Sequence, residues 1–331
     1  MFVADSAYAQ EDASRSLQYG ASGSLRVRGF SLSNGTAASD LDPVTRGNLQ
    51  LTGQDDIDAT QNFLDSRMRL SLHVTAYQEV TAKMQIEVGD ITFGDGAAGG
   101  GLGTDGRVFE NKNLYLEWHP TRYSFSAKAG LYSRESDPYG IILSDDVAGI
   151  HGEVELLGTE TSLYLDYIKA VEGSRLDLDN DGIVDNDYND RDIILFGVNS
   201  AAIPMVDLEA FFMADVNNTQ DTPVANTEQD TYWVGLSAKG RVGPAHISST
   251  AIWARGKRTV TGTPGTTIRG LAFDTRVSME LPFVTLDAIF AWASGTDPDR
   301  QNTDTGFPTI APFYGVSGIV YGNYGGFNAT G

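Results

Sequence analysis

Apolar and polar residues alternate with a period of two along much of this chain, and that pattern limits the possible folds more than any other feature. In residues 67–77, RMRLSLHVTAY, Met68, Leu70 and Leu72 share one face, while Arg67 and Arg69 share the other. This is the period of a β-strand and not the 3.6-residue period of a helix. About fourteen such stretches occur, most of them about ten residues long, which suits a tilted strand that crosses a bilayer. The pattern predicts an all-β chain.

The connections between these strands alternate between short and long. Tight turns are predicted near Gln78–Thr81, His119–Arg122, Leu157–Glu160, Ala201–Met205, Arg241–Pro244 and Leu281–Phe283. Long polar segments lie between them, at 33–60, 94–111, 134–146, 170–190, 216–229, 256–268 and 295–313. Short turns at one end and long loops at the other are typical of an outer-membrane barrel. We therefore predict a transmembrane antiparallel up-and-down β-barrel of about 14 strands.

Composition excludes several classes of protein. A formal charge of −21 over 331 residues argues against a nucleic-acid partner, and the absence of cysteine excludes disulfides and thiolate metal sites. No apolar run is long enough for a transmembrane helix. Residues 1–10 include Ala7-Tyr8-Ala9 before Gln10, which resembles a signal-peptidase site. We expect a remnant of an export signal there, with an ordinary flexible terminus as the alternative, and a single barrel over 11–331.

Tryptophan and tyrosine residues lie near the ends of the predicted strands. Trp118 and Tyr123 flank one short turn, whereas Trp233, Trp253 and Trp292 lie near long loops. Two aromatic belts at the interfaces of a membrane explain this placement. A soluble β-sandwich is the alternative, but its strands should be shorter and its loops more even in length.

The stretch LDLDNDGIVDNDYNDRD, residues 176–192, contains seven aspartates. Carboxylates at alternate positions followed by a glycine are typical of a calcium loop. The sequence therefore predicts a Ca²⁺ site in an external loop at 176–188, although Tyr188 at the twelfth position excludes an EF-hand. A solvated acidic loop is the alternative. The expected ligands are Asp177, Asp179, Asp181, Ile183 through its carbonyl group, Asp185 and Asp187.

Two other patterns do not support an enzyme. GDGAAG at 94–99 matches a dinucleotide-binding motif, but the glycine-rich sequence after it cannot open a helix. Histidines His73, His151 and His246 occupy the polar phase of their strands, without a nucleophile motif or metal-ligand spacing. We expect no enzymatic activity and no catalytic or redox cofactor.

Charged residues on the polar phase are expected to line the pore. Arg26, Arg28, Arg67 and Arg69 lie on the first two strands and would form a ladder of guanidinium groups if those strands pair. Such charges select ions or rigidify the wall through salt bridges, and both roles are compatible. Further pore-lining candidates are Lys83, Glu87, Glu153, Asp207, Glu209, Asp274, Arg276 and Asp287, with acidic residues opposing the arginines.

Two long segments resemble a known family. SRMRLSLHVTAYQEVTAKMQIEVGD with NKNLYLEWHPTRYSFSAKAGLYS, and later FAWASGTDPDRQNTDTGFPTIAPFYG, are similar to the alginate-export family of outer-membrane porins. The resemblance implies a monomeric barrel of about eighteen strands with a basic pore for anionic solutes. If the C-terminus of this chain is truncated, the complete barrel is therefore expected to have 16–18 strands.

These observations predict a porin of the bacterial outer membrane that passes small hydrophilic, including anionic, solutes by passive diffusion. Its expected partners are outer-membrane lipid and those solutes, and the oligomeric state stays open. The alternative is a structural or adhesive surface barrel with a blocked lumen and a calcium-ordered loop. Ion conduction separates the two, because the glycine-rich loop at 94–111 could fold inward.

Overall fold

The computed structural model describes residues 17–32, 61–93, 109–171, 190–217, 220–222, 225–260, 263–297, 299–300 and 302–312. All regular structure in these ranges is β-strand, and none of them contains a helix that could span a membrane. The strands are β1 (Leu17–Leu32), β2 (Gln61–Ala76), β3 (Val80–Thr92), β4 (Phe109–Trp118), β5 (Phe125–Glu135), β6 (Ser144–Glu155), β7 (Thr161–Val171), β8 (Arg191–Ile203), β9 (Val206–Asn217), β10 (Gln220–Thr222), β11 (Ala225–Val242), β12 (Ala245–Val260), β13 (Thr266–Leu281), β14 (Val284–Ala293) and β15 (Thr303–Asp304).

The chain divides into two compact units. The first contains residues 1–74 and 83–112, and the second contains residues 75–82 and 113–331. In the first unit β1, β2 and β3 lie side by side in chain order. Arg28 pairs with Asp65 on β2 and Arg69 pairs with Glu87 on β3. These contacts link each strand to the next along the chain.

The second unit is an antiparallel meander. Its strands follow the order β4-β5-β6-β7-β8-β9-β11-β12-β13-β14, with each described ladder between neighbours antiparallel. Two short strands lie off this path: β10 pairs with β11, and β15 pairs with β13 in parallel. The predicted all-β, antiparallel up-and-down architecture is confirmed.

The predicted turns coincide with the observed hairpins, but several predicted loops are too long. β5 and β6 leave only residues 136–143 between them, rather than 134–146. β12 and β13 likewise extend into the predicted loop 256–268, and β9 to β11 occupy most of 216–229. The reason is that the backbone ladder of a hairpin continues through polar residues after the apolar alternation ends.

The two faces of the sheet are inverted relative to those of a water-soluble protein. In β7, Leu165 is 52% exposed whereas Asp166 is 0% exposed, and in β13, Phe273 is 38% exposed whereas Asp274 is 1% exposed. The same inversion is present in the first unit, where Leu70 on β2 is exposed and Asp65 is buried. We call the side with buried polar residues the inner face and the opposite side the outer face.

Residues 136–143 and the segment that contains Ile310 and Ala311 pack together against the inner face of the second unit. Residues 136–143, which we call the inward segment, bury Ile142 and Leu143 completely or nearly so. The backbone N–H of Ile310 and that of Ala311 both donate to the carbonyl of Ile142, at 2.9 and 3.2 Å. The surrounding core comes mainly from the inner face: Tyr132, Val147, Tyr164, Ile168, Ile193, Leu195, Phe211, Met213, Trp233, Ile252, Ala254, Ala272 and Phe307.

Candidate functional site: the polar inner face

Carboxylates of the first unit pair with arginines of the ladder. The guanidinium of Arg28 donates from Nε to both oxygens of Asp65, at 3.0 and 3.1 Å. Arg69 forms an ion pair with Glu87, and Arg67 Nε lies 3.8 Å from the same carboxylate. Of the two roles that the sequence leaves open for these arginines, the contacts of Arg28, Arg67 and Arg69 are those of salt bridges within the wall. This wall is an ion-pair network rather than a purely positive surface.

In the second unit, buried Asp166 on β7 is the centre of a polar network. Arg134 Nη2 lies 2.8 Å from its Oδ2, and His151 Nδ1 lies 2.9 Å from its Oδ1. The hydroxyl of Tyr132 donates to Oδ1 at 3.2 Å. These residues come from adjacent strands β5, β6 and β7, whose antiparallel register places the side chains on one face. A buried carboxyl group is tolerated there because it lies beside a cation and accepts hydrogen bonds.

Two further ion pairs lie on the inner face of this unit. Arg191 donates from Nε and Nη2 to the two oxygens of Asp215, at 2.9 and 2.8 Å, which is the bidentate geometry that favours arginine. Arg276 Nε donates to Asp274 at 3.3 Å, and its guanidinium lies 3.7 Å from the ring centroid of Tyr139. The second contact fastens the inward segment to β13 through a cation–π interaction.

Glycines opposite aromatic residues allow large rings to lie flat on the inner face. Gly197 on β8 is directly opposite Tyr164, and a Cβ atom at Gly197 would be 2.2 Å from that ring. Gly235 on β11 is in the same position relative to Phe211. With its ring seated over Gly197, Tyr164 donates its hydroxyl to Glu209 at 2.8 Å. Gly197 therefore gives Tyr164 the room to make this hydrogen bond to Glu209, a predicted pore-lining residue.

A polar cavity of about 490 Å³ lies towards the short-turn end of the second unit. Its acidic walls include Asp207 and Glu209, and Lys239 is the basic residue among its lining. Hydroxyl and amide groups supply the rest of its polar surface, from Thr161, Ser162, Asn199, Ser200 and Ser237. A second cavity of about 390 Å³ shares Asp207 and Lys239 and is also lined by Arg276. The structure thus brings three of the predicted pore-lining residues next to open space.

Asp137 fixes the conformation of the inward segment. Its carboxylate accepts hydrogen bonds from the backbone N–H groups of Tyr139, Ile141 and Ile142, at distances between 2.9 and 3.3 Å. The hydroxyl of Ser136 donates to Asp137 and accepts from the N–H of Leu143. These bonds satisfy the backbone groups that the apolar residues of this segment carry into the interior.

The stability of the inward segment is expected to depend on pH through Asp137. Burial raises the pKa of this carboxyl above its ordinary value of 3.8, against the opposing effect of the backbone hydrogen bonds. Because the native carboxyl then holds its proton more tightly than the unfolded one, stability decreases as pH rises through the native pKa. Thermal unfolding should show that the Tm of the wild type, relative to that of Asp137→Asn, decreases as pH rises from about 4 to neutrality. A constant difference would contradict this prediction.

Three of the segments singled out in the sequence fall in other parts of the chain. The calcium ligands Asp177 to Asp187, residues 1–10 and the glycine-rich segment 94–108 lie outside the described residues. Among the residues that are described, no group of three histidine or acidic side chains could hold a metal ion. Calcium binding at 176–188 therefore stays a prediction.

Comparisons with known proteins give only distant structural matches. Neither the models of known protein families nor the curated proteins include a match to this chain. OmpT, an outer membrane protein of Vibrio cholerae, is similar over 89% of this chain and 94% of its own, with 10% identity and a TM-score of 0.36. A mutant of the Rh. blastica porin covers 84% and 99% of the two chains, with 10% identity and a TM-score of 0.31. For the anion-selective porin from Comamonas acidovorans the values are 86% and 96%, 13% and 0.29.

The alginate-export resemblance is not confirmed by any match. What the chain itself shows is an antiparallel sheet with an apolar outer face and a charged inner face.

Sequence reasoning missed the inward segment and several ion-pair partners. Asp65, Arg134 and Arg191 were not among the predicted site residues, although each forms an ion pair on the inner face. One signal was available: the run Ile141-Ile142-Leu143 is unusually apolar for a loop between two polar strand ends. Such a run indicates a connecting segment that packs against the protein rather than extending into water.

Proposed function

We propose that this chain is an outer-membrane β-barrel channel that passes small hydrophilic solutes by passive diffusion along its inner face. The observation that carries the proposal is the inversion of the two faces. Soluble monomers rarely expose continuous apolar patches of more than a few hundred Å², yet apolar outer-face residues are exposed on strand after strand, from Leu25 on β1 to Trp292 on β14. A lipid environment accounts for that surface, and closure into a barrel would pair the edge strands.

The polar inner face supplies the proposed path. Buried carboxylates and hydroxyl groups there would have no function in a lipid-filled interior, whereas they are compatible with water. The cavities around Asp207 and Lys239 give this water a place at the short-turn end. The inward segment packs nearer the loop end of the same face and would narrow the path, so a channel restricted by residues 136–143 fits these observations.

The charged residues that line the larger cavity favour cations. Among the described residues of its walls, four are acidic and one, Lys239, is basic; the acidic residues are Glu155, Glu160, Asp207 and Glu209. Most other inner-face charges of this unit are paired, such as Arg191 with Asp215. We therefore propose a preference for small cationic or neutral solutes, rather than for the anionic solutes that the family resemblance implies.

Single-channel recording of the refolded chain in a planar bilayer under a salt gradient tests this proposal. We expect stable conductance and a reversal potential with the sign of cation selectivity. One unit charge at about 7 Å in a water-filled site contributes about 0.6 kcal/mol, or about threefold in relative permeability. Asp207→Asn combined with Glu209→Gln should therefore reduce the cation preference, and Lys239→Gln should increase it.

The two parts of the proposal can fail separately. Anion selectivity in a conducting wild-type protein would overturn the assignment of the acidic cavity. Absence of conductance from a chain shown to be folded in the bilayer would overturn the channel and favour a structural surface barrel with a blocked lumen.

A further inference from the structure

Two arginines on the outer face form a positively charged pair that nothing on the described chain neutralises. Arg255 on β12 lies directly opposite Arg269 on β13, and both side chains are exposed. Within the part of the chain that the structure describes, neither guanidinium takes part in an ion pair. Like charges directly opposite each other destabilise an antiparallel ladder, so an anion that contacts both guanidinium groups would stabilise this pair.

The neighbouring residues place this pair at a boundary on the outer face. Tyr232 on β11 is directly opposite Arg255, which gives a row of one tyrosine and two arginines across three strands. One row nearer the short turns, Trp253 lies between Val234 and Leu271, and all three are exposed apolar residues. Arginine beside an aromatic row is the arrangement expected where the hydrocarbon of a membrane ends and its headgroups begin.

The next row towards the loops is electrically balanced. Lys257 on β12 is directly opposite Asp230 on β11. Glu228, an exposed residue, lies one row further out. The positive surplus is therefore confined to the row of Arg255 and Arg269, which is adjacent to the apolar surface, and does not extend to the strand ends.

We propose that Arg255 and Arg269 bind the phosphate group of a membrane lipid on the outside of the sheet. Two guanidinium groups offer planar pairs of donors that match phosphate oxygens. The lipid's acyl chains would lie along Trp253 and Leu271, which explains why a headgroup suits this site better than a free anion. This inference depends on the proposed membrane orientation but not on the conduction of solutes.

The double substitution Arg255→Gln with Arg269→Gln tests the inference. Wild-type and variant proteins are refolded into vesicles of mixed phosphatidic acid and phosphatidylcholine, extracted gently and examined by native mass spectrometry for bound lipid. A basic residue near an anionic membrane surface contributes about fivefold in affinity, so the variant should lose about 25-fold of its preference for phosphatidic acid.

Lys169→Gln is the matched control. Lys169 lies near the loop end of β7 and contacts Asp190 and Asp192, at 3.1 and 3.2 Å. Because its charge is already compensated, its substitution should leave the lipid preference unchanged. Equal preference in the wild type and the double variant would overturn the inference.

Three further outcomes would also overturn it. If inorganic phosphate abolishes the preference at concentrations that leave bilayer charge unscreened, the site binds free anions instead of lipid. If the wild-type chain does not insert into vesicles, the membrane orientation fails, and the proposed function fails with it. Insertion and conductance without any lipid preference would overturn this inference alone.

Discussion

Substitution of Asp166 with alanine is expected to lower the free energy of unfolding by about 3–5 kcal/mol, because it leaves a cation on the inner face without its carboxylate. Arg134 lies 2.8 Å from Asp166, and that aspartate is completely buried. His151 and Tyr132 would lose their shared acceptor at the same time. Urea-induced unfolding of the refolded protein in lipid vesicles, followed by tryptophan fluorescence, measures the change.

A matched control tests whether this loss of stability is specific to the buried pair or follows the removal of any carboxylate from the inner face. Glu117 lies 3.5 Å from Lys128, but its side chain is 36% exposed. Glu117→Ala should therefore cost less than about 1 kcal/mol, as is usual for exposed pairs. Replacing both partners of the buried pair, with Arg134→Met and Asp166→Leu, should recover most of the lost stability. If Asp166→Ala unfolds at the same urea concentration as the wild type, the network is not a stabilising element.

Replacement of residues 137–142 with a two-residue Asn-Gly turn is expected to raise the single-channel conductance several-fold. The N–H of Ser136 donates to the carbonyl of Leu143 at 2.9 Å, so the two ends are already adjacent and a hairpin turn can join them. The replacement removes Ile142 and the Tyr139 ring that contacts Arg276. If the inward segment restricts the solute path, its removal widens that path along the inner face.

This replacement is also expected to lower the free energy of unfolding. Each fully buried aliphatic side chain that is lost removes about 1.5–3 kcal/mol of burial energy. A shortened connection at residues 263–265, which are exposed, should change neither conductance nor stability appreciably. Unchanged conductance in the 137–142 variant, in a protein that is shown to be folded, would mean that the solute path does not pass the inward segment.

The strand architecture was readable from the sequence wherever only one face is apolar. In β2, Leu70 and Leu72 alternate with polar residues on the other face, so the period of two is unambiguous. In β8, by contrast, Ile193, Ile194, Leu195 and Phe196 form a continuous apolar run. Periodicity weakens at that strand because its inner face packs in the core around the inward segment.

The candidate site was only partly predictable for a related physical reason. Alternation indicates the face on which Arg28 or Asp207 lies, but not the partner across the ladder, which depends on register. The pairing of Arg28 with Asp65 follows once β1 and β2 are aligned. The bidentate contact of Arg191 with Asp215 likewise needs the β8–β9 register, in which Arg191 lies opposite Asn217. Single-sequence patterns do not fix such offsets.

The inversion of the two faces also restricts how this chain can change in evolution. Inserting or deleting one residue within a strand would move every later side chain of that strand to the opposite face. With the outer face in lipid, as proposed above, Asp166 and Asp274 would then point into hydrocarbon, at a cost of several kcal/mol for each exposed charge. Length changes inside strands should therefore occur in steps of two, whereas connections such as residues 263–265 can lengthen freely.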